Sequence, residues 1–195
     1  MNRVVSTILA VIISCISSLA QDNSAYDRMS FRSNKIKMQI VYEYEYVKGN
    51  PSSTGKKIQE VFFDVDGNKV QEINFRYNGT VHSVNTYKYD QKGNKIEYIK
   101  YEGNKEKMIF RQFFQYNEKN LVLIESGFNG VENYKTTFKY DTFGKITEVI
   151  YYVDNKVDET RKFSYAKNTS ELSVMDASLK LAYKINYSYN EKGLV

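Results

Sequence analysis

The side chains that could carry out catalysis or bind a metal are few in this sequence. His82 is the only histidine and Cys15 the only cysteine among 195 residues. A single histidine excludes a histidine dyad or a multi-histidine metal site, and His82 stands close to the Asn78-Gly79 dipeptide as an ordinary strand residue. No Gly-x-Ser-x-Gly, phosphate loop or dinucleotide fingerprint occurs in the sequence. We therefore expect a protein that is not an enzyme and that has no catalytic residue, metal or cofactor.

A short acidic segment is a candidate for binding a cation. The stretch "DVDGN", from Asp64 to Asn68, offers two carboxylates and an amide, which are hard oxygen ligands of the kind that calcium prefers. A calcium loop of this type needs a glutamate at its twelfth position, where Phe75 stands instead. The same stretch also matches a β-turn, and the turn is the interpretation that we adopt.

Three tyrosines alternate with two glutamates in "VYEYEYV", from Val41 to Val47. On a single strand Tyr42, Tyr44 and Tyr46 would share one face, because alternate residues of a strand point the same way. A sugar or a peptide could stack along such a row, so the three tyrosines are candidate ligand-facing aromatics. Burial in the core of a sheet is the interpretation that we prefer.

The N-terminal segment is typical of a secretory signal peptide. Residues 1–20 contain one positive residue, Arg3, then an apolar run from Val4 to Ile13, and then small residues that end at Ala20. This segment is too short and too lightly flanked for a lasting transmembrane helix. We expect an exported protein, periplasmic or extracellular, with a polar lead-in at residues 21–35 and a β-repeat domain at residues 36–195.

Cys15 leaves a second form of export open. The stretch "IISC" resembles a bacterial lipobox, which would make Cys15 the lipidated N-terminus of an outer-membrane lipoprotein. The small and apolar residues after Cys15 suit ordinary signal peptidase better. In either case the folded body has no thiol, which excludes disulfides, cysteine-based zinc sites and cysteine nucleophiles. We expect contact with a membrane only if Cys15 is lipidated.

The charge pattern argues against a nucleic-acid partner. The net charge is +5, and lysine and glutamate are interspersed along the chain with no block of one sign. A nucleic-acid groove or a membrane-binding patch normally shows a concentrated basic stretch. We interpret the charged residues as a solvated face.

A turn motif, Asp/Asn-x-x-Gly/Asn, recurs about every 25 residues, which is typical of a repeat architecture. Asp or Asn at the first position can accept a hydrogen bond from the backbone two residues on, and Gly or Asn at the fourth tolerates positive φ. These preferences suit a type I turn followed by a G1 bulge. Ala166–Thr169 is a degenerate copy. The predicted turn residues are Asp64, Gly67, Asp90, Gly93, Asn117, Asn120, Asp141, Gly144, Asn190 and Gly193.

A second set of turn signals lies between these turns: Asn78-Gly79, Gly103-Asn104, Asn129-Gly130 and Asp154-Asn155. Each repeat thus contains two strands and two turns. Aromatics that alternate before a turn, such as Tyr87 and Tyr89, should share one face and pair across strands. Tyr 18 and Phe 11 against Pro 1 and Trp 0 also favour strands. We predict an all-β fold, an antiparallel meander of about twelve strands that forms a curved or rolled sheet.

The segments "YKYDQKGNKIEYIKY" and "FKYDTFGKITEVIYY" resemble the YD repeat of rearrangement-hot-spot (Rhs) proteins, and the resemblance covers about residues 60–195. It implies β-sheets that wrap into shells or extend as rods, built from repeats that are not themselves catalytic. Asn94 and Lys145 stand where that family commonly has arginine, and the array is too short to enclose a toxin. In size the chain is more similar to small exported YD-like proteins of Bacteroidetes-type bacteria.

The C-terminal repeat is predicted to stop after its first strand, which would leave Leu179–Tyr189 as an edge. Tyr183, Ile185 and Tyr187 make this segment apolar on one face, and it contains no proline to blunt it. We expect either a longer natural chain or pairing with another chain by β-augmentation, including self-association.

Three functions remain open after these arguments. The first is a non-enzymatic exported module that acts as a scaffold or binds a protein or a glycan. The second is a lipid-handling or envelope-assembly protein whose aromatic face cups an apolar ligand. The third, and least favoured, is a hydrolase that uses two carboxylates. A dry aromatic core favours the first, an apolar cavity the second, and a cleft with two carboxylates the third.

Overall fold

A computed structural model describes residues 25–47 and 50–189 of the chain. The elements in this range are helix α1 (Ala25–Ser33) and strands β1 (Met38–Glu43), β2 (Tyr46–Val47), β3 (Asn50–Pro51), β4 (Lys56–Phe63), β5 (Lys69–Phe75), β6 (Val81–Tyr89), β7 (Lys95–Glu102), β8 (Lys107–Tyr116), β9 (Val122–Phe128), β10 (Asn133–Tyr140), β11 (Ile146–Val153), β12 (Lys156–Tyr165), β13 (Thr169–Met175) and β14 (Leu181–Ser188). The predicted signal peptide, Cys15, Asn190 and Gly193 lie outside the described residues.

The main sheet has 12 strands, and their order follows the chain. β1 lies beside β4, and from β4 to β14 each strand lies beside its successor. β2 and β3 form a separate two-stranded ribbon between β1 and β4 in sequence. The predicted all-β antiparallel meander of about twelve strands is therefore confirmed.

The chain divides into two compact units. The first runs to Ile96 and includes Tyr101–Lys107, and the second takes Glu97–Lys100 and the chain from Met108 onward. In the first unit β4 pairs with β1 on one side and with β5 on the other. In the second unit β10 lies in the same way between β9 and β11. Each unit thus repeats the same local pattern of antiparallel hairpins.

The recurring turn closes its hairpin through the side chain of its first residue. At the first turn, the N–H groups of Asp66 and Asn68 both donate to Asp64 Oδ1 at 2.9 Å, and Gly67 takes φ +78°. The same pair of bonds recurs at Asp90, Asn117 and Asp141. The fourth residue has positive φ in each of these turns: Gly67, Gly93, Asn120 and Gly144. These are a type I turn and a G1 bulge.

The aromatic residues before the turns form the apolar core. Tyr87, Phe114 and Phe138 are buried, and the residue that follows each of them, Lys88, Gln115 or Lys139, is exposed. Across the β10–β11 hairpin, Phe138 lies directly opposite the nearly inaccessible Val149. Burying each such side chain stabilises the fold by roughly 1.5–3 kcal/mol.

The predicted polar lead-in contains helix α1, which packs on the first unit. Lys35 has φ 53°, and the N–H groups of Lys35 and Ile36 donate to the carbonyls of Arg32 and Phe31 at 3.1 and 2.9 Å. This is a Schellman motif, and it ends the helix. The Phe31 ring lies 4.3 Å from the Phe63 ring, centroid to centroid, so α1 covers one end of β4.

A turn that we did not predict lies between β13 and β14. The N–H groups of Ser178 and Lys180 donate to Asp176 Oδ1, as in the repeat turns, but the fourth position is Leu179 at φ 61°. Sequence preference favours Gly or Asn at that position. The expected edge segment from Leu179 to Tyr189 is corrected accordingly: Leu179 belongs to the turn, and the strand is Leu181–Ser188.

Leu179→Gly is expected to raise the free energy of unfolding by about 0.5–1 kcal/mol. Leucine in the left-handed region costs roughly 1–2 kcal/mol, and the greater freedom of glycine in the unfolded chain offsets part of the gain. Little burial is lost, because Leu179 is 64% exposed. Urea denaturation measures the change. Ser178→Gly is the control, and a stability equal to that of Leu179→Gly would contradict the strain at Leu179.

Candidate functional site

Tyr42, Tyr44 and Tyr46 do not form a buried row on one strand. β1 ends at Glu43, Tyr44 and Glu45 belong to no strand, and Tyr46 begins β2. The three tyrosines are 49%, 48% and 75% exposed, respectively. Our preferred interpretation, that they form sheet core, is therefore wrong. The physical reason is that β1 ends at Glu43, which takes Tyr44 and Tyr46 off the strand, and that Tyr42 lies on β1 at the edge of the sheet in the described residues.

The Tyr44 ring lies against Gly55. A Cβ on Gly55 would come 2.6 Å from Cζ of Tyr44, so the ring occupies the space that any other residue would fill. The neighbouring Lys56 begins β4 and lies opposite Glu43 in the β1–β4 register. The chain thus leaves the main sheet after Glu43 of β1 and re-enters it at Lys56 of β4, and these two residues lie opposite each other.

A fourth tyrosine, Tyr77, contacts residues that neighbour these three. It lies between β5 and β6, is 63% exposed, and donates a hydrogen bond from its hydroxyl to Glu43 at 2.8 Å. The Lys56 ammonium lies 4.5 Å from the centroid of the Tyr77 ring and 2.7 Å from a carboxylate oxygen of Glu45. We call Tyr42, Tyr44, Tyr46 and Tyr77 the tyrosine patch.

The charged residues beside the tyrosine patch perturb one another. The hydrogen bond and charge of Lys56 lower the pKa of Glu45, and the same hydrogen bond raises the pKa of Lys56. The hydrogen bond to Glu43, together with its negative charge, raises the pKa of Tyr77. At neutral pH Tyr77 is therefore a neutral phenol that lies beside the Lys56 ammonium, and Lys56 in turn is paired with the Glu45 carboxylate.

Glu43→Gln is expected to lower the pKa of Tyr77 toward its ordinary value of 10.0, because the charged acceptor is removed. Since the folded pKa is raised, the stabilisation from neutral Tyr77 is present below the unfolded pKa and is lost as the pH rises through the folded pKa. A pH titration of the tyrosine ring carbons by NMR measures the shift. Glu132→Gln, in a turn of the other unit, is the control, and an unchanged Tyr77 midpoint in Glu43→Gln would contradict the contact.

Two other sequence-predicted candidates, Asp64 and His82, lie in a turn and on a strand, respectively. Both carboxylate oxygens of Asp64 accept hydrogen bonds from within its turn, including one from the Asn68 side chain at 3.0 Å. His82 is exposed on β6, and its backbone carbonyl accepts a hydrogen bond from the Gly103 N–H. Among residues 25–47 and 50–189, no three His, Cys, Asp or Glu side chains are grouped as a metal site would require.

A half-buried polar cluster lies on the sheet of the first unit. Glu72 receives hydrogen bonds from Asn74, Asn85 and Lys69, each at 3.0 Å. Burial alone would raise the pKa of Glu72, but these bonds and the Lys69 charge outweigh it and lower the pKa. Glu72 is therefore a satisfied carboxylate that holds neighbouring strands together.

Charged residues line two open clefts in the described part of the first unit. One, of about 480 Å³, lies between α1 and two repeat turns and is lined by Arg28, Arg32, Asp66 and Lys92 among others. The second, of about 590 Å³, is lined by residues that include Arg76, Glu102 and Lys107. Such surroundings suit water or ions better than an apolar ligand.

None of the helical structure in the described part of the chain is long and apolar enough to cross a membrane.

Comparison with known proteins supports the fold. A chain of the crystal structure of TcdB2-TccC3-Cdc42 matches with a TM-score of 0.57 and 12% sequence identity, over 79% of this chain and 9% of that chain. A chain of TcdB2-TccC3-TEV matches with a TM-score of 0.28 and 11% identity, over 77% of this chain and 12% of that one, which is too weak to argue from. This chain thus spans about a tenth of the solved structures that it resembles. The first match is consistent with an Rhs-like β-repeat fold.

No protein-family model and no curated protein sequence matches the chain.

Sequence reasoning missed four residues that build the site: Glu43, Gly55, Lys56 and Tyr77. Tyr77 precedes an Asn-Gly turn signal, so its exposure at a hairpin tip could have been expected. Its contact with Glu43 joins residues 34 positions apart and depends on the β1–β4–β5 pairing. That contact has no local sequence signal.

Proposed function

We propose that the protein is a non-enzymatic β-repeat module, exported from the cytoplasm, that binds another protein through the tyrosine patch. The observation that carries the proposal is the exposure of Tyr46 and Tyr77 at 75% and 63%, beside a network of charged side chains. Tyrosine is enriched at interfaces because it combines a large apolar ring with a polar tip. A repeat sheet supplies a rigid support for such a surface.

The arrangement around the tyrosine patch supports a protein partner in preference to a glycan. One continuous strand would have placed the three rings in a row along which a sugar chain could stack, and here the strand ends at Glu43. Tyr42 also shares its face of β1 with the exposed apolar side chains of Met38 and Ile40. An apolar centre bordered by charges is the usual anatomy of a protein interface.

Site-specific photo-crosslinking tests this proposal. A benzophenone amino acid replaces Tyr46 in the full chain, and the protein is irradiated in its source cells. We expect a discrete protein adduct, identified by mass spectrometry, that is lost when Tyr77→Ser is added to the same chain. The matched control carries the probe at Phe143, an exposed aromatic in a repeat turn of the other unit.

An adduct at position 46 no stronger than that at position 143 would contradict the tyrosine patch as a binding surface. An adduct that contains a glycan instead of a protein would replace the protein partner with the glycan alternative.

A further inference from the structure

The strands of the main sheet fall into two classes. Approach strands lead into the repeat turn, and return strands follow it: β4, β6, β8, β10, β12 and β14 are approach strands, and β5, β7, β9, β11 and β13 are return strands. In the second unit, approach strands β10 and β12 each lie between two return strands. β14 is different, because within the described residues it pairs with β13 alone.

β1 has the complementary position in the first unit. It pairs antiparallel with approach strand β4, on the side opposite to β5, where the repeat pattern places a return strand. Within the described residues β1 has no second neighbour. Over residues 25–47 and 50–189, one edge of the sheet is therefore an approach strand with an open side, and the other edge strand occupies the position of a return strand and also has an open side.

The backbone groups on both open sides can be assigned. The Tyr189 N–H donates to the Asn168 carbonyl, so Tyr187 and Ile185 also point their backbone groups at β13, and Lys184, Asn186 and Ser188 point theirs outward. The Phe63 N–H donates to the Lys37 carbonyl, which by the same alternation directs the backbone groups of Met38 and Ile40 outward from β1.

The β14 edge is regular from Tyr183 onward, because its register shift lies at the start of the strand, between Leu181 and Tyr183. β1 and β14 contain no proline, and Met38, Ile40, Leu181 and Tyr183 are exposed apolar side chains on them. The ammonium of Lys184, the one charged residue of β14, is held 2.9 Å from Glu171 on the neighbouring strand. Its charge is thereby partly neutralised.

We infer that copies of this chain associate head to tail, with β14 of one copy pairing antiparallel with β1 of the next. The junction places a return strand beside an approach strand, which is the pairing found at each hairpin of the sheet. Such a contact is heterologous, so it leaves one edge of each kind free and allows further copies to add. Tyr42 of the tyrosine patch lies on β1, but the junction is argued from the backbone of β1 and β14 and does not rest on the proposed function.

Two edge-blocking variants test the junction. Asn186→Pro removes an outward N–H from β14, and Ile40→Pro removes one from β1. Both variants should fold, because proline is tolerated where the N–H of an edge strand faces solvent. By light scattering, the wild-type mass should at least double with rising concentration, and each variant alone should remain a single chain. An equimolar mixture should form a species of two chains and nothing larger, because only one junction is available. Asn186→Thr and Ile40→Thr, which keep the N–H, should behave as wild type.

Several results would overturn the inference. These are a wild-type mass of one chain at all accessible concentrations, self-association of Ile40→Pro alone through two β14 edges, or a mixture that stays monomeric. If a proline variant does not fold, a peptide of residues 36–44 is added to the wild-type protein instead. The peptide should pair with β14 and lower the mass that light scattering measures. The same peptide with Ile40→Pro should not lower it, and equal effects of the two peptides would also refute the junction.

Discussion

Gly127→Ala is expected to lower the free energy of unfolding by about 3 kcal/mol, near the upper limit for overpacking a close-packed site. Gly127 lies on β9 opposite Gln112 of β8. A Cβ there would overlap the backbone carbonyl oxygen of Arg111 and come 2.8 Å from its carbonyl carbon. Because backbone atoms cannot move aside as a side chain can, the β8–β9 pairing itself must shift.

Urea denaturation of the full chain measures this loss, and hydrogen exchange locates it. We expect the amides of β8 and β9 to lose protection before those of β4 and β5. Ser126→Ala is the control, since it changes the adjacent residue of the same strand without adding an atom. A loss below about 1 kcal/mol in Gly127→Ala, no larger than the usual effect of a single substitution, would contradict the close approach of β8 to β9.

Three turn glycines of the first unit allow a graded test of how α1 is attached. Gly67, Gly79 and Gly93 have nearly the same φ, at 78°, 80° and 81°, so alanine at each brings the same backbone strain of about 1 kcal/mol. They differ in what the new Cβ would meet. At Gly79 nothing lies within 4 Å, at Gly93 the tip of the Arg28 side chain lies at 3.0 Å, and at Gly67 the backbone carbonyl oxygen of Arg28 is overlapped.

Gly67→Ala should therefore lose about 1–3 kcal/mol more than Gly79→Ala, because overpacking against the α1 backbone adds to the strain. Gly93→Ala should lie close to Gly79→Ala, since an arginine tip can move. Denaturant melts of the three variants give the ranking, and circular dichroism shows whether α1 is lost first. Equal losses at all three positions would mean that α1 does not rest on the Asp64–Gly67 turn.

The repeat turns could be predicted from sequence because their geometry is local. Asp90 and Gly93 lie three residues apart, and the bonds that fix the turn connect residues at most four apart. The alternation of aromatic and polar residues before each turn then determines which side chains are buried. The turn at Asp176 obeys the same hydrogen-bond pattern but was missed, because Leu179 takes the positive φ that sequence preference gives to glycine.

The candidate site could not be predicted, because it depends on which part of the sheet other residues leave exposed. "YEYEY" alternates as regularly as a buried strand, and nothing local indicates that β1 ends at Glu43. Burial of Tyr44 or Tyr46 would require a second layer of structure. Both residues lie instead in the segment between β1 and β4, where the Tyr44 ring lies against Gly55 and Glu45 pairs with Lys56. Periodicity identifies which residues share a face, but it does not show whether that face is covered.

Acetylation of tyrosine hydroxyls, quantified residue by residue by mass spectrometry, tests most directly whether the tyrosine patch is a binding surface. The protein is labelled once in its source cells and once after purification. We predict that Tyr46 and Tyr77 are labelled several-fold less in the cells, where the partner covers them, while the exposed Tyr165 in the other unit is labelled equally in both states. Equal labelling of Tyr46 and Tyr77 in the two states would contradict this prediction.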